Sequence, residues 1–323
     1  MHVMKNKIVK WIIVSISILL GVLLVGGVYF SYQVGKSVGE GCLEIGRDQD
    51  TKNNSIKQME IWGFDQEAFE ATYSSEYIEL TAKDGNKVPT YYYRMNEKEE
   101  ADTVILVHGL GGEALCMEPW IEMYGEQGYN VLAIDTRGAG KNKDAAMTYG
   151  YNETMDLAAC VDYLRTKIVS HKIIIHGQSL GGCMVGIYAA TEHANQNVDK
   201  IILESPMKSL EYMFLMGWRE MPDYDATVPE AYLMSCGSWY LKWKEGFSFD
   251  DVNMVEKQKE NYISTLVIQC LRDELSNMED GKEIFNQIGS QDKRYWEIDS
   301  DHIEGYIDYP DAYTEAVIGF IEQ

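Results

Sequence analysis

The sequence predicts an α/β protein: a mostly parallel, doubly wound sheet with an inserted helical cap, preceded by one N-terminal transmembrane helix. Three observations carry this. Residues 11–30, WIIVSISILLGVLLVGGVYF, hold no charged side chain. From residue 61 onward, short apolar runs alternate with helix-period segments, as in a sheet buried on both faces and wound with crossovers. The interval 207–262, between two such runs, is far longer than one crossover helix needs.

The apolar stretch comes first. At 1.5 Å per residue, its 20 positions match a hydrocarbon core of roughly 30 Å. A buried core helix of that length normally keeps a polar face, which this one lacks. A cleaved secretory signal has a shorter apolar region and a small-x-small exit, whereas this run leaves through Val28-Tyr29-Phe30. Cys42 invites a lipoprotein reading, but Glu40-Gly41 before it does not supply the apolar and small residues of a lipobox. The expectation is an uncleaved anchor. Lys5, Lys7 and Lys10 precede it with no acid among them, so the positive-inside rule leaves residues 1–10 as a short cytoplasmic tail and exports residues 31–323. This gives a single-pass protein of the cell membrane, with its main domain outside the cytoplasm.

Composition narrows the partners. Lys+Arg number 28 against 51 Asp+Glu, a net charge of −23, and so acidic a surface repels phosphate backbones. Nucleic acid is therefore not an expected partner. The six cysteines, 42, 116, 160, 183, 236 and 270, show neither paired zinc spacing nor a dense disulfide framework, so no metal and no disulfide is expected. Oligomeric state leaves no mark in the sequence.

Residues 31–60 are polar and glycine-bearing and read as a juxtamembrane linker. The α/β domain then occupies 61–323. EYIELTA and VPTYYYRM, around Lys83-Asp84-Gly85-Asn86, form a hairpin with an Asp-Gly turn. DTVILVHG, YNVLAID, KIIIHGQS, DKIILES, STLVIQCL and RYWEID follow as buried strands. Between them lie the helix-period segments NETMDLAACVDYLRTKI, with Asn152 as N-cap, and LGGCMVGIYAATEHA; DAYTEAVIGFIEQ ends the chain. The insertion at about 207–262 is rich in aromatics, among them Tyr224, Trp239, Tyr240 and Trp243, and is expected to cap the ligand-binding edge of the sheet.

One motif follows a strand and opens a helix: Gly177-Gln178-Ser179-Leu180-Gly181. G-x-S-x-G alone is weak, but in this setting a nucleophile elbow works. Flanking glycines let strand and helix approach, and the helix N-terminus places free N–H groups under a developing oxyanion. A serine there needs a base. His2 precedes the anchor, His171 and His193 sit at element ends, and His176 is too near Ser179 on the same strand. His108 ends a strand in His-Gly. His302, on a loop between the last strand and the last helix, remains. The orienting acid should lie between Ser179 and His302 at a strand end, which selects Asp273, with Glu274 adjacent and Asp299 and Asp301 as local competitors. Small residues after His108 and Gly109 leave the amides of Leu110 and Leu180 as candidate oxyanion donors, unless VHGLGG is a plain glycine-rich turn.

HGLGG, DTRGAGKN, GQSLGG, the Asp of LRDEL and the His of DSDHIEGY resemble the α/β-hydrolase superfamily. More narrowly, they resemble its serine aminopeptidase/monoglyceride lipase-like branch, in which membrane-anchored bacterial members occur. The resemblance covers about residues 75–323. It implies the α/β-hydrolase fold, no cofactor, and a D-x-R-G-x-G loop, here Asp135–Gly140, beside the oxyanion strand. Gln269-Cys270 stands where that pattern has His-Gly, and Val-Pro does not follow the acid. The expected function is a serine hydrolase acting on a carboxylic ester or related acyl bond, through an acyl-enzyme, on a small-molecule substrate with an apolar or aromatic group. An aminopeptidase-type serine peptidase is the alternative, and a non-catalytic binding module on the same scaffold is the reading from another class.

Overall fold

A computed structural model describes residues 2–96, 101–221, 227 and 229–323, apart from the side chains of residues 2–6, 8 and 9. Tyr224 of the expected aromatic insertion, and the side chains of His2 and Lys5, lie outside the described residues. Chain contacts divide the protein into two units, Met1–Glu44 with Gly217–Ser248, and Ile45–Met216 with Phe249–Gln323.

In the first unit, α1 (His2–Glu44) runs unbroken through the apolar stretch, whose residues 11–30 are all exposed. It is one helix long and apolar enough to cross a membrane. Its last turns bury Gly35, Val38, Gly39 and Cys42, the spacing of one helix face, and this face packs on the helix Glu230–Glu245. A Cβ on Gly35 would strike the carbonyl oxygen of Cys236, and one on Gly39 would meet the Tyr240 ring at 2.5 Å. The two helices approach closely because both positions are glycine.

In the second unit, α2 (Thr51–Trp62) and α3 (Gln66–Thr72) precede the hairpin β1 (Glu76–Thr81) and β2 (Lys87–Tyr93). The expected linker is thus mostly helical: α1 ends only at Glu44 and α2 starts at Thr51, where Asp50 accepts from Asn53 N–H as N-cap. Side chains buried against other elements, not composition, hold these segments. Thr51, Ser55 and Met59 of α2 are buried, and Thr51 donates to Glu113 at 2.9 Å.

The remaining strands are β3 (Thr103–Val107), β4 (Asn130–Ile134), β5 (Ile173–Gln178), β6 (Lys200–Glu204), β7 (Ser264–Cys270) and β8 (Lys293–Ile298). The sheet order is β1-β2-β4-β3-β5-β6-β7-β8, with β1–β2 and β2–β4 antiparallel and every later pair parallel. β3 to β6 are buried along their whole length, as continuous apolar runs require. The other helices are α4 (Glu118–Glu126), α5 (Glu153–Tyr163), α6 (Leu180–Ala189), α7 (Glu192–Asn197), α8 (Leu210–Arg219), α9 (Glu230–Glu245), α10 (Met254–Lys257), α11 (Met278–Gln287), α12 (Gly305–Asp308) and α13 (Pro310–Ile321).

Asn152 sits at the N-cap of α5 but makes no capping bond, because its own backbone is already helical. Glu153 ties the preceding loop to the start of α5, accepting from Thr148 N–H and Gly150 N–H, both at 2.8 Å. The interval between β6 and β7 holds α8, α9 and α10, and its residues 217–248 group with α1 while its flanks group with the sheet. Five of the six cysteines are buried, and Cys236 is half-buried.

Candidate active site

The chain leaves β5 and turns into α6 at Ser179, whose φ of 53° and ψ of −118° no ordinary L-residue adopts without strain. Tight neighbours hold it there. Ser179 N–H donates to Glu204 O at 2.9 Å, while Cys183 N–H and Met207 N–H both donate to Ser179 O at 3.1 Å. Glycine is required on either side. A Cβ on Gly181 would collide with the carbonyl of Val107, and one on Gly177 would lie 2.5 Å from Gly181 O. Gly109, two residues past the end of β3, faces the elbow, and a Cβ there would lie only 3.2 Å from Ser179 Cβ.

Ser179 Oγ lies 2.8 Å from His302 Nε2, and His302 Nδ1 lies 2.6 Å from Asp273 Oδ2. A carboxylate only accepts, so Nδ1 carries the proton and the Nε2 lone pair faces the serine hydroxyl. Such a hydroxyl can lose its proton to the ring while it attacks an electrophile. Asp273 is fixed in turn: its Oδ1 accepts from Leu275 N–H at 2.9 Å and from Ser276 N–H at 2.8 Å, and its side chain is fully buried.

The competing acids go elsewhere. Glu274 is exposed, and Asp299 and Asp301 bind Arg272 at 2.8 and 3.1 Å. Gln269, in place of the usual histidine, donates to Ser276 O at 2.6 Å and so braces the loop that bears Asp273.

His108 has a different task. Thr136 N–H donates to its Nε2 at 3.1 Å, so the ring proton is on Nδ1, which donates to Gly109 O at 2.8 Å. Full burial disfavours the cation and lowers the pKa of this ring. Holding the Gly109 carbonyl on one side turns the amide of Leu110 to the other, because a trans peptide opposes its C=O and N–H. Among the described hydrogen bonds, neither the Leu110 nor the Leu180 amide has an acceptor. Both residues line a cleft shared with His108, Gly109, Thr136 and Arg137.

The Asp135–Gly140 loop closes that side. Asp135 accepts from Ala114 N–H at 3.0 Å and Lys141 N–H at 2.9 Å, and Arg137 grips Asp156 through two bonds of 2.8 and 2.7 Å. His171 pairs with Asp102 at 2.9 Å and His193 with Asp162 at 3.1 Å, so both rings are engaged by other acids.

Sequence reasoning missed a buried polar cluster under the elbow. Glu204 Oε2 accepts from Gln178 Nε2 at 2.7 Å, Tyr313 OH at 2.8 Å and His176 Nε2 at 3.2 Å, and His176 Nδ1 accepts from Tyr124 OH at 3.0 Å. The signal was present: a histidine and a glutamate inside otherwise apolar strands are costly unless paired.

A family model described as the α/β hydrolase fold matches residues 102–234. The uncharacterized protein YfhR of Escherichia coli K12 is 25% identical over 260 residues, covering 77% of this chain and 81% of YfhR. Among solved structures, the Pyrococcus furiosus esterase Pf2001 superposes with a TM-score of 0.61 at 24% identity, covering 80% of this chain and 95% of that one. The enol-lactonase of Burkholderia xenovorans LB400 gives 0.52 at 20% identity, over 77% and 100% of the two chains. The chain has the α/β-hydrolase fold. Residues 102–234 are thus similar to the α/β-hydrolase family, and these solved neighbours share its fold.

Proposed function

We propose that this protein is a serine hydrolase that cleaves a carboxylic ester or related acyl bond of a small molecule through an acyl-enzyme. The observation that carries the reading is the hydrogen-bonded chain from Ser179 Oγ through His302 to Asp273, on a strained elbow. Ser179 Oγ attacks the carbonyl carbon while its proton passes to His302 Nε2. The carbonyl oxygen becomes an oxyanion held by the Leu110 and Leu180 amides, which the His108–Gly109 contact and the α6 N-terminus aim. Collapse expels the alcohol, which takes the proton from His302. Water then adds to the acyl-enzyme by the same route and restores the hydroxyl. Asp273 holds the tautomer and offsets the charge on the imidazolium. The fold of the esterase and enol-lactonase neighbours is compatible with this chemistry, and the aromatic insertion suits an apolar acyl or aromatic group.

Residues 11–30 serve, on this reading, as a single membrane pass with the lysines on the cytoplasmic side and the hydrolase unit outside. A fluorophosphonate probe should label the chain once, and Ser179→Ala should abolish labelling while leaving the melting temperature unchanged. Labelling that survives in this variant would overturn the assignment. A panel of p-nitrophenyl esters of rising chain length, beside aminoacyl-nitroanilides, then fixes the bond. Turnover of the esters supports the proposal, turnover of the anilides alone makes the protein a peptidase, and turnover of neither favours a binding module.

A further inference from the structure

We propose that Trp239 and Trp243 of α9 rest in the headgroup–acyl boundary of the bilayer that α1 enters, so that the inserted segment makes a second membrane contact. This rests on the reading of residues 11–30 as a membrane span.

Position is the first argument. The apolar stretch ends at Phe30, and the next two residues each touch α9: Ser31 Oγ lies 2.9 Å from Tyr232 OH, and the Tyr32 ring centroid lies 6.3 Å from that of Trp243. At 1.5 Å of rise per residue, Tyr32 is only about 3 Å along the helix axis from Phe30. Trp239 stacks on Trp243, with centroids 6.4 Å apart and planes 6° from parallel. Both indoles therefore sit close to the level at which α1 leaves its apolar segment.

Exposure is the second. Trp239 is 56% and Trp243 65% exposed, beside Tyr29 at 62% and Phe30 at 61%. Two stacked indoles open to solvent are out of place on a water-facing helix, because each offers a large apolar body. At a lipid interface the same side chains are favoured, the ring among upper acyl carbons and the indole N–H among headgroups. Trp11, 72% exposed, marks the opposite end of the stretch, so both ends carry the aromatic belt of a spanning helix.

Phosphatidylcholine isolates the apolar contribution. Exposed Lys242 and Lys244 flank Trp243, so an anionic surface would add local attraction against the chain's net charge of −23. The contact is apolar and needs no anionic headgroup, so zwitterionic phosphatidylcholine suffices. The packing of α9 on α1 fixes the ledge relative to the span, since Gly35 and Gly39 admit no slack between the helices.

The test uses the full-length chain in phosphatidylcholine vesicles, with acyl chains brominated near the headgroup, brominated near the chain ends, or unbrominated. The signal is the tryptophan emission of the native chain minus that of Trp239→Phe/Trp243→Phe. We expect shallow bromines to reduce this difference emission by roughly half, deep bromines to reduce it less, and aqueous iodide to have little effect. Each single Phe variant should account for part of the loss, which guards against a folding defect in the double variant. Difference emission quenched by iodide and not by bromines would overturn the proposal, because the pair would face water. Emission insensitive to both would overturn it too, with a second copy of the chain or another protein covering the ledge. Co-flotation of the chain with carbonate-washed vesicles reads the span separately. Co-flotation without bromine quenching refutes the ledge alone, whereas failure to co-float refutes the span and the ledge together.

Discussion

Replacing Asp273 by asparagine isolates the tautomer from the fold. In the native site Oδ1 faces two backbone donors, Leu275 N–H at 2.9 Å and Ser276 N–H at 2.8 Å. The asparagine oxygen must take that position, since an NH₂ there would meet two N–H groups. The NH₂ is then forced to the Oδ2 position, 2.6 Å from His302 Nδ1 in the native protein. Nδ1 becomes the acceptor, the ring proton moves to Nε2, and Nε2 can no longer take the proton of Ser179. Loss of the correct tautomer in serine-hydrolase triads costs on the order of 10⁴ in turnover, about 5.5 kcal/mol of transition-state stabilisation. Because both backbone bonds to Oδ1 survive, the melting temperature should stay within a few degrees. The readouts are kcat on a short p-nitrophenyl ester and, independently of substrate, the rate of fluorophosphonate labelling. Glu274→Gln is the control, and its exposed side chain should matter less than about tenfold. A loss below tenfold in Asp273→Asn, or a larger loss in Glu274→Gln, would refute the reasoning.

Gly181→Ala should lower both stability, by about 2 kcal/mol or more, and labelling, because the new Cβ meets the backbone carbonyls of Val107 and His108, which cannot swing away. Differential scanning calorimetry and the probe assay check this. His108→Phe keeps the ring volume but frees the Gly109 carbonyl and Thr136 N–H, so stability should fall by about 2 kcal/mol and kcat by roughly 10–100-fold with KM little changed. Glu118 offers a pH test. Burial, with the charge of Glu70 as a lesser cause, pushes its carboxyl from 4.5 up to about 7. The unfolded chain then releases this proton before the folded one does, so the group removes stability as pH rises from about 4.5 to 7 and the loss stays constant above. One pH unit corresponds to about 1.4 kcal/mol, and partial solvent access reduces the total to about 1–2 kcal/mol. Glu118→Gln should therefore raise the melting temperature by a few degrees at pH 8 and leave it unchanged at pH 4.

Much of the sheet was legible because the local pattern and the tertiary environment agree. DTVILVHG, YNVLAID, KIIIHGQS and DKIILES each centre on a continuous apolar run, and their strands are buried on both faces. Ser179 is marked by its motif, His302 by elimination and Asp273 by chain order at a strand end, and the structure brings their side chains together. The segment 31–60 is mostly helical for a physical reason. Its glycines read as breakers, yet Gly35 and Gly39 stand inside α1 to admit α9, a contact that sequence periodicity alone cannot reveal. Asn152 has the right residue type for a cap, but capping depends on backbone angles that propensity does not fix. The closeness of His176 to Ser179 in sequence bears on its use as a base but is silent about its bond to Glu204.

The glycine-mediated pairing of α1 with α9 also sets a timetable for biosynthesis. Ser31 and Tyr232 are 201 residues apart, so the face of α1 formed by Gly35, Val38, Gly39 and Cys42 leaves the ribosome well before its partner exists. At about 5–20 residues per second that delay is roughly 10–40 s. During it, the end of α1 presents a groove lined by small side chains with nothing to fill it. The nascent chain is most vulnerable to chaperone capture or proteolysis in that window, and translation past α9 closes it.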